Sequence, residues 1–323
     1  MKIHYKICEN GAEIIRCFGC DARVVVPAKV HGVPVVRMAS YVFSEKKPRE
    51  ETDVLVYELS NTVSIHDEEY LLVGAKIEEI ILPDTVEEIG DYGFYGCRNM
   101  EKLTFSNQLR RLGAGSFNGC RSLSKLEVHF SAGHQSCIKE ILGELWQRMD
   151  IQIYDKQNGM REVCSSLVFP EHYEEAVENT PARILFTKHH GAGNDYRQCF
   201  YDRKIDYRKY DELFPVAAAR EKLEVSAELA LRRLEYPYEL SKTNEEVYEK
   251  FIIQYEKDII LYIVKLNSFR HIKELSLRRL WTWDGLAAGI EQSSRNKDAE
   301  ILSFLMNEKH INFPKAHRKK FEL

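Results

Sequence analysis

The sequence predicts an α+β protein of several domains. A short N-terminal solenoid with a parallel strand ladder is expected over residues 1–130, a mixed capping and connecting α/β module over 131–205, and an all-α helical repeat domain over 206–323. Three observations predict this order. A block of 23 residues recurs in the first part, short alternating and helical stretches follow one another in the second, and apolar residues at helical spacing dominate the third.

The repeat is the strongest signal in the chain. The stretch IEEIILPDTVEEIGDYGFYGCRN, which begins at Ile77, is followed at once by MEKLTFSNQLRRLGAGSFNGCRS. Phe94 and Cys97 of the first block recur 23 positions later as Phe117 and Cys120. Because one such block leaves an apolar face that only a neighbouring block covers, the pattern predicts a stacked solenoid.

Within one block the pattern predicts a short strand followed by a turn. Ile80 and Leu82 point to one face of the strand, and Pro83 ends ladder pairing because it has no N–H to donate. Gly90 permits a tight turn, and Cys97 fills the interior before the next strand begins. Strands about 4.8 Å apart in a parallel ladder are therefore expected, with the cysteines as small buried hydrophobic side chains.

These residues also carry a family resemblance. The block LxxIxLPxxVxxIGxxxFxGCxxL resembles the BspA-type leucine-rich repeat, and RVVVPAKVHGVPVVRMASYVF resembles the opening repeat of that family with its hGxPV insertion. In that template the preceding segment is a strand, a turn glycine and a strand. IIRCFGCDARVVVP fits it with Gly19 as the turn and Cys17 as a packing residue. The resemblance therefore implies that the CFGC motif, whose spacing also suits zinc or redox chemistry, packs without a metal.

The repeat departs from its pattern in two places. Phe43 and Phe94 are 51 positions apart, five more than two blocks require. One degenerate unit near 44–76, with an inserted charged loop near 46–52, is therefore expected. After residue 128 the repeat stops, so the ladder should have about four or five units.

The stretch from 131 to 205 predicts short mixed elements. SCIKEILGELWQRM (136–149) has helical spacing and is expected to cap the open end of the ladder, since a solenoid must cover its last apolar face. The elements expected after it are a strand at 150–155, a strand at 165–169, a short helix from Pro170, a strand at 183–188 and a glycine-rich turn.

The last part of the chain predicts helices. One long helix is expected over 244–266, where apolar residues form a single stripe and Thr243 forms a capping box with Glu246. The last helix, within 297–313, resembles the outer helix of an ankyrin repeat, although the Thr-Pro-Leu-His opening is missing. Together with residues 169–214, these helices resemble the C-terminal region attached to many bacterial leucine-rich repeat proteins, notably from gut Firmicutes.

Composition excludes several classes of partner and location. The chain has 323 residues and a net charge of −4, which predicts no attraction to nucleic acid or to an anionic membrane. The most apolar long segment, FIIQYEKDIILYIVKL, carries three charged residues at its centre, so no membrane span is expected. His4, Lys6 and Glu9 interrupt the N-terminal apolar residues, which argues against a secretory signal. A complete chain is expected in the cytoplasm, and a chain from which a leader had been removed would be exported.

The favoured function is that of a non-enzymatic interaction or scaffold protein, with no cofactor or metal and with a protein partner whose identity and stoichiometry stay open. In such ladders the outward strand positions contact partners. By the register of the repeat, the expected partner-binding residues are Arg23, Val25, Glu79, Ile81, Lys102, Thr104, Lys125 and Glu127.

Two alternatives stay open. The first is a small-molecule or anion-binding sensor or enzyme that uses the 188–197 turn, where backbone N–H groups and a guanidinium could meet an anion. It predicts a buried Arg197 that faces unfilled space. Its candidate residues are Lys188, His189, His190, Gly191, Gly193, Asn194, Tyr196 and Arg197. The second alternative is an exported surface adhesin, because some BspA-type relatives are exported.

Overall fold

The computed structural model describes residues 1–46, 52–59, 70–131, 133–157, 160–179 and 184–314. The described chain forms an N-terminal β-solenoid of about five turns and a helical region, and it contains ten α-helices. The chain divides into two compact units, Met1–Tyr210 and Asp211–Leu323. The predicted α+β fold class and the predicted order of solenoid before helices are confirmed.

The first unit contains all the described strands. These are β1 (Lys2–Cys8), β2 (Gly11–Phe18), β3 (Arg23–Val25), β4 (Lys29–Val30), β5 (Val33–Met38), β6 (Leu55–Glu58), β7 (Glu79–Ile81), β8 (Glu88–Ile89), β9 (Lys102–Ser106), β10 (Arg111–Leu112), β11 (Lys125–His129), β12 (Met149–Gln157), β13 (Met160–Phe169), β14 (Tyr173–Asn179), β15 (Ile184–His190), β16 (Phe200–Tyr201) and β17 (Lys204–Ile205).

The predicted ladder is one six-stranded sheet in the order β13-β12-β11-β9-β7-β3. From β3 to β12 every neighbouring pair in it is parallel, and β13 closes the sheet antiparallel to β12. Ile80, Leu103 and Leu126, which are 23 positions apart, are register partners on successive strands, and all three are buried. The spacing of 23 residues in the sequence therefore corresponds to one strand of the ladder, as predicted.

A second sheet closes the other side of each turn of the solenoid. Its order is β10-β8-β5-β2-β1-β6, with β4 paired to β5. The antiparallel β1 and β2 hairpin begins it, and β5, β8 and β10 follow as parallel short strands. Three turns thus contribute one strand to the ladder and one to this sheet, namely β3 with β5, β7 with β8, and β9 with β10.

The segment expected as a degenerate repeat unit adds no strand to the ladder in its described part. β3 pairs directly with β7, although 53 residues of the sequence lie between the two strands. The described strand of this segment, β6, pairs antiparallel with β1 in the second sheet instead. Most of the charged loop expected near 46–52 lies outside the described residues.

The core of the solenoid contains a column of three aromatic rings from successive turns. The Phe94 ring stacks on Phe43 with centroids 5.6 Å apart and on Phe117 with centroids 5.2 Å apart. Beside this column, the Cys97 thiol donates to the Phe43 carbonyl and the Cys120 thiol to the Phe94 carbonyl, at 3.4 and 3.2 Å. All three rings and both thiols are buried, as the repeat predicts.

Helix α1 (Ile138–Glu144) is shorter than the helix expected over 136–149, and β12 and β13 continue the ladder sheet after it, so its role as a cap stays a prediction. Phe94 donates its N–H to the carbonyl of Ser116 on the next turn, whereas Phe117 donates to the Glu144 carboxylate at 2.7 Å. The Gln147 amide donates to the carbonyls of Cys120 and Leu123. At Phe117 a polar side chain therefore replaces the carbonyl of a further turn.

The short helix expected from Pro170 does not form. The chain there enters strand β14, which pairs with β15 over seven residue pairs as a separate two-stranded sheet. The expected strand at 183–188 corresponds to β15. Its partner strand was not predicted, because the EHYEEAVEN sequence has no clear apolar alternation.

The remaining helices are short. They are α2 (Gly193–Tyr196), α3 (Tyr207–Glu212), α4 (Phe214–Arg220), α5 (Leu223–Glu235), α6 (Lys242–Gln254), α7 (Glu256–Lys265), α8 (Phe269–Leu277), α9 (Trp283–Asn296) and α10 (Ala299–Asn312). In the described residues no helix is long and apolar enough to cross a membrane.

The long helix expected over 244–266 is in fact two helices, α6 and α7, that are separated at Tyr255. The predicted capping box is also wrong, because Ser241, not Thr243, is the N-cap residue and accepts the N–H of Asn244. The likeness of α10 to an ankyrin helix stays a prediction.

A buried ion pair lies at the centre of the second unit. The Arg233 guanidinium makes two hydrogen bonds to the Asp211 carboxylate, at 2.7 and 2.9 Å, and neither side chain is exposed. Tyr248 donates its hydroxyl to the same carboxylate, and Arg233 also donates to the Tyr236 and Tyr238 carbonyls. The two charges are thereby fully hydrogen-bonded, which is the condition for a buried ion pair to persist.

The aromatic column yields a stability prediction. Phe94→Ala removes the central ring between two stacked neighbours and leaves a cavity, so the free energy of unfolding should fall by about 3–5 kcal/mol. The measurement is urea unfolding followed by circular dichroism, with Tyr201→Ala as the control because the Tyr201 ring is 78% exposed. Equal losses in the two variants would contradict the column as a source of stability.

Candidate functional site

The ladder places all eight predicted partner-binding residues on one side of the sheet. Arg23, Glu79, Lys102 and Lys125 are successive register partners in one row. A second row, two residues further along each strand, runs through Val25, Ile81, Thr104 and Glu127. We call these two rows the ladder face.

Ion pairs across the strands hold most charges of the ladder face. Glu79 lies between Arg23, at 2.8 Å, and Lys102, at 3.2 Å, and the Lys102 ammonium also contacts Glu127 at 2.8 Å. Burial alone would lower the pKa of Lys102, but its hydrogen bonds to Glu127 and Glu79 outweigh burial and raise that pKa above the ordinary value. Lys102 is therefore a charged side chain that links the neighbouring strands β7 and β11 through its two ion pairs.

The members of the ladder face differ in their access to solvent. Thr104 is only 3% exposed and donates to the Glu127 carboxylate, so its side chain lies beneath its neighbours and is not available to a partner. Val25 is 47% exposed, and Ile81 next to it is half-buried. Lys125 is exposed and makes no ion pair within the described part of the chain. The accessible part of the ladder face thus includes the apolar Val25 beside the ion-paired Arg23 on β3, and the cation of Lys125, which has no ion pair among the described residues, on β11.

The structure adds residues that the repeat pattern could not predict. Strand β12 continues the two rows with Asp150 and Gln152, and Arg148 pairs with Asp150 at 2.9 Å. The alternation of the DIQIYD sequence was the available signal, but the step from Lys125 to Asp150 is 25 positions rather than 23. A repeat search at fixed spacing therefore misses this strand.

A second polar group lies near the carboxyl ends of the ladder strands. Asp84 pairs with Arg161 and lies 3.6 Å from the His129 ring nitrogen Nδ1. Burial and the Arg161 charge lower the pKa of His129, and Asp84 opposes them only in part, so this imidazole is neutral at pH 7.

The residues of the predicted 188–197 site do not come together. Lys188, His189 and His190 lie on the exposed hairpin strand β15, where His190 contacts Glu175 at 2.8 Å and His189 contacts Glu174 at 3.5 Å. Adjacent residues of a strand point to opposite sides, so the two imidazoles do not converge on one ligand.

The glycines and the tyrosine of that stretch have structural roles. Gly191 has φ of +81°, a conformation that favours glycine, and a Cβ at Gly193 would lie 2.2 Å from the Pro170 carbonyl. Asn194 is half-buried in α2, and the Tyr196 ring is fully buried against Tyr210. These residues shape the turn rather than an open site.

Arg197 is buried, as expected, but it does not face unfilled space. Its guanidinium donates to five backbone carbonyls at 2.7–3.2 Å, and burial lowers its pKa to about 10, so it stays protonated at pH 7. The acceptors are Leu142, Leu145, Gln147, Pro170 and Gly193. Nε shares its single N–H between the Leu142 and Leu145 carbonyls, so four of the five N–H groups of the guanidinium are engaged with the backbone. The side chain thus joins α1 and the residues after it to Pro170 and Gly193.

The cysteines are arranged as packing residues in the solenoid. Burial raises the pKa of both Cys17 and Cys97 to about 12, and that of Cys137 to about 11. Cys20, the second cysteine of the CFGC motif, is exposed while Cys17 is fully buried. Among the residues that the structure describes, no three His, Cys, Asp or Glu side chains are grouped as metal ligands.

Comparison with known proteins agrees with the repeat. Residues 64–141 match the family model of the BspA type leucine rich repeat region, which has six copies. No curated protein matches the chain.

Two solved structures resemble part of the chain. One is a leucine rich repeat protein of T. pallidum, at 19% identity and a TM-score of 0.26, which covers 44% of this chain and 55% of that one. The other is a leucine rich cell surface protein from Faecalibacterium prausnitzii A2-165, at 14% identity and a TM-score of 0.26, which covers 55% of this chain and 61% of that one. The chain thus spans less than two thirds of either relative.

The contacts of Arg197 predict a structural role. Arg197→Met should lower the free energy of unfolding by at least about 3 kcal/mol, because several buried carbonyls lose their donor together. Arg197→Lys should fall between this variant and the wild type, since an ammonium has three donors where the guanidinium has five. Urea unfolding measures both, with the exposed Arg121→Met as the control. A fully stable Arg197→Met would contradict the role.

The burial of the cysteines predicts their reactivity. Iodoacetamide at pH 8 should modify Cys20 in the native protein and leave Cys17, Cys97 and Cys120 unmodified, because the raised pKa values leave almost no thiolate and burial denies access. Mass spectrometry of the digested protein gives the modified sites, and labelling in guanidinium chloride should reach all eight cysteines. Rapid native labelling of Cys97 would refute the packing assignment.

Proposed function

We propose that this protein is a non-enzymatic interaction protein that binds a protein partner through the ladder face. The observation that carries the proposal is the exposed Lys125, which has no ion pair among the described residues, on the same face as the exposed Val25. The match of residues 64–141 to a leucine-rich repeat family supports it, because repeat solenoids present extended surfaces to partners.

The geometry of the ladder suggests the chemistry of the partner. Val25 on β3 and Lys125 on β11 are three strands apart and two residues apart along the strands, which corresponds to a diagonal of about 16 Å at the usual spacings. An extended segment of about five residues spans that distance. The proposed partner segment has an apolar side chain over Val25 and Ile81 and a carboxylate, about five positions away, next to Lys125.

The charges between these two ends favour a specific register. Lys102 is already paired with Glu79 and Glu127, so a partner carboxylate gains more at Lys125 than at Lys102. A partner cation at β11 would instead meet Lys125 without compensation. The ladder face therefore discriminates by charge at one end and by apolar contact at the other.

The alternatives receive less support. The anion sensor or enzyme at 188–197 depended on Arg197, whose guanidinium is buried and donates to five backbone carbonyls. The adhesin alternative differs from the proposal in where the protein acts, and the ladder face would bind a partner in the same way inside or outside the cell.

Site-specific photocrosslinking tests the proposal. With p-benzoylphenylalanine at Val25, cells of the source organism should yield a discrete protein adduct, whereas the same group at the exposed Tyr201 should not. Lys125→Glu in the Val25 background should lower the adduct yield by at least about tenfold, because a favourable charge contact becomes a repulsive one. The crosslinked partner peptide should contain an acidic residue.

The control for the charge reversal is Arg121→Glu, which makes the same change of charge at an exposed turn position. It should leave the adduct yield unchanged. No adduct at Val25, or an adduct that survives Lys125→Glu, would show that the ladder face is not the binding surface.

A further inference from the structure

A basic cleft lies in the first unit, apart from the ladder face. It has a volume of about 300 Å³ and opens where the turn after β9, the loop after β11 and the β16–β17 hairpin meet. Its charged and titratable lining residues are Arg110, His134, Arg203 and Lys204, and Leu109 gives it an apolar wall. None of these belongs to the ladder face.

The walls of the cleft are fastened to one another. The β16–β17 hairpin turns through Asp202 and Arg203, which have φ of +46° and +60°, as a two-residue hairpin turn requires. The Arg203 carbonyl accepts the N–H of Ser136 at 3.1 Å, and the Gln135 amide donates to the Asp202 carboxylate at 2.7 Å. The loop and the hairpin therefore hold the cleft open without a ligand.

The cleft carries an excess of positive charge. None of the described residues that line it has a carboxylate. Glu140 lies 2.7 Å from Nε of Arg203 and compensates that cation, and the Asp202 carboxylate in the hairpin turn accepts from the Gln135 amide. Arg203 also donates to the Cys137 sulfur. Arg110 and Lys204 are both exposed, and neither has an ion-pair partner in the described chain.

We propose that this cleft binds the phosphate group of a small phosphate monoester. Arg110 and Lys204 supply two positive charges that have no ion-pair partner among the described residues, and two charges match a dianion better than a single carboxylate. The arginine fork suits a tetrahedral oxyanion, and the lysine acts as a point charge beside it. The volume is at the lower end of the range for small-molecule sites, and Leu109 faces the organic part of the ligand.

Calorimetric titration of the full chain with phenyl phosphate, in a phosphate-free buffer at low salt, tests the site. Saturable binding of one phenyl phosphate per chain is expected. Benzoate, which has the same ring and a single negative charge, should bind at least about tenfold more weakly. Inorganic phosphate should compete with phenyl phosphate, because both present the same oxyanion.

The variant for the test is Arg110→Gln/Lys204→Gln. Both side chains are exposed, and Arg110 makes only one long hydrogen bond, to Gln108 Oε1 at 3.5 Å, so the fold should be preserved, and a thermal melt checks this. Phenyl phosphate binding should weaken at least about tenfold in this variant. The matched control, Arg98→Gln/Arg121→Gln, removes the same charge from exposed turns elsewhere in the solenoid and should bind like the wild type.

Three outcomes would overturn the assignment. They are no saturable binding of phenyl phosphate to the wild type, equal affinity for phenyl phosphate and benzoate, and an unchanged affinity in the Arg110→Gln/Lys204→Gln variant. Each concerns the cleft alone, because the ladder face is unaltered in these variants.

Discussion

The fold of the first unit depends on one constraint, namely that no turn of a solenoid can satisfy its own backbone or bury its own apolar residues. The N–H of Phe43 and the N–H of Phe94 both donate to a carbonyl on the following turn. The rings and thiols likewise contact the neighbouring turn rather than their own. Since unsatisfied buried groups are costly, the chain must either continue the repeat or replace it.

The turn that contains Phe117 shows how the replacement works. Glu144 supplies an acceptor at the place where another turn would supply a backbone carbonyl. After β12 and β13, Arg197 donates to five backbone carbonyls from separate segments of the chain. Arg16 has the same role at the first turn, where it donates to the carbonyls of Tyr41, Val42, Ser44 and Lys46. Buried guanidiniums thus satisfy the backbone where pairing between turns is not available.

The part of the fold that the sequence predicts well is the part that repeats. Phe94 and Phe117 are equivalent in the sequence because they occupy equivalent places in the stack, so a local pattern carries long-range information. Outside the repeat this relation is lost. The partner strand β14, the break at Tyr255 and the acceptors of Arg197 depend on contacts between distant segments, and no local periodicity encodes them.

The candidate sites follow the same division. The side of the sheet on which the ladder-face residues lie was predictable, because the 23-residue step places equivalent positions of successive strands next to one another. Its accessibility was not, since Thr104 is buried by a hydrogen bond to the next turn. The basic cleft escaped prediction altogether, because its cations come from three loops that are far apart in the sequence.

Charges on the two sheets of the solenoid are mostly used within the solenoid itself. In the second sheet Glu88 pairs with Arg37 and with Arg111, as Glu79 pairs with Arg23 and Lys102 in the ladder. Pairs of this kind between neighbouring strands contribute about 0.2–1 kcal/mol each, and like charges side by side cost a similar amount. The number of charged residues on either sheet is therefore larger than the number that is available to a partner.

Lys125 is the exception to this pattern. Its register partners are Lys102 on β9 and Asp150 on β12. Lys102 contacts Glu79 and Glu127, and Asp150 lies 2.9 Å from Arg148, so these acids are paired with other cations, while Lys125 has no ion pair among the described residues. Two lysines side by side also cost free energy in the isolated protein. A carboxylate from outside the chain would contact Lys125 without displacing an ion pair of the ladder, and this is the physical reason to assign the binding role to β11 rather than to the paired strands beside it.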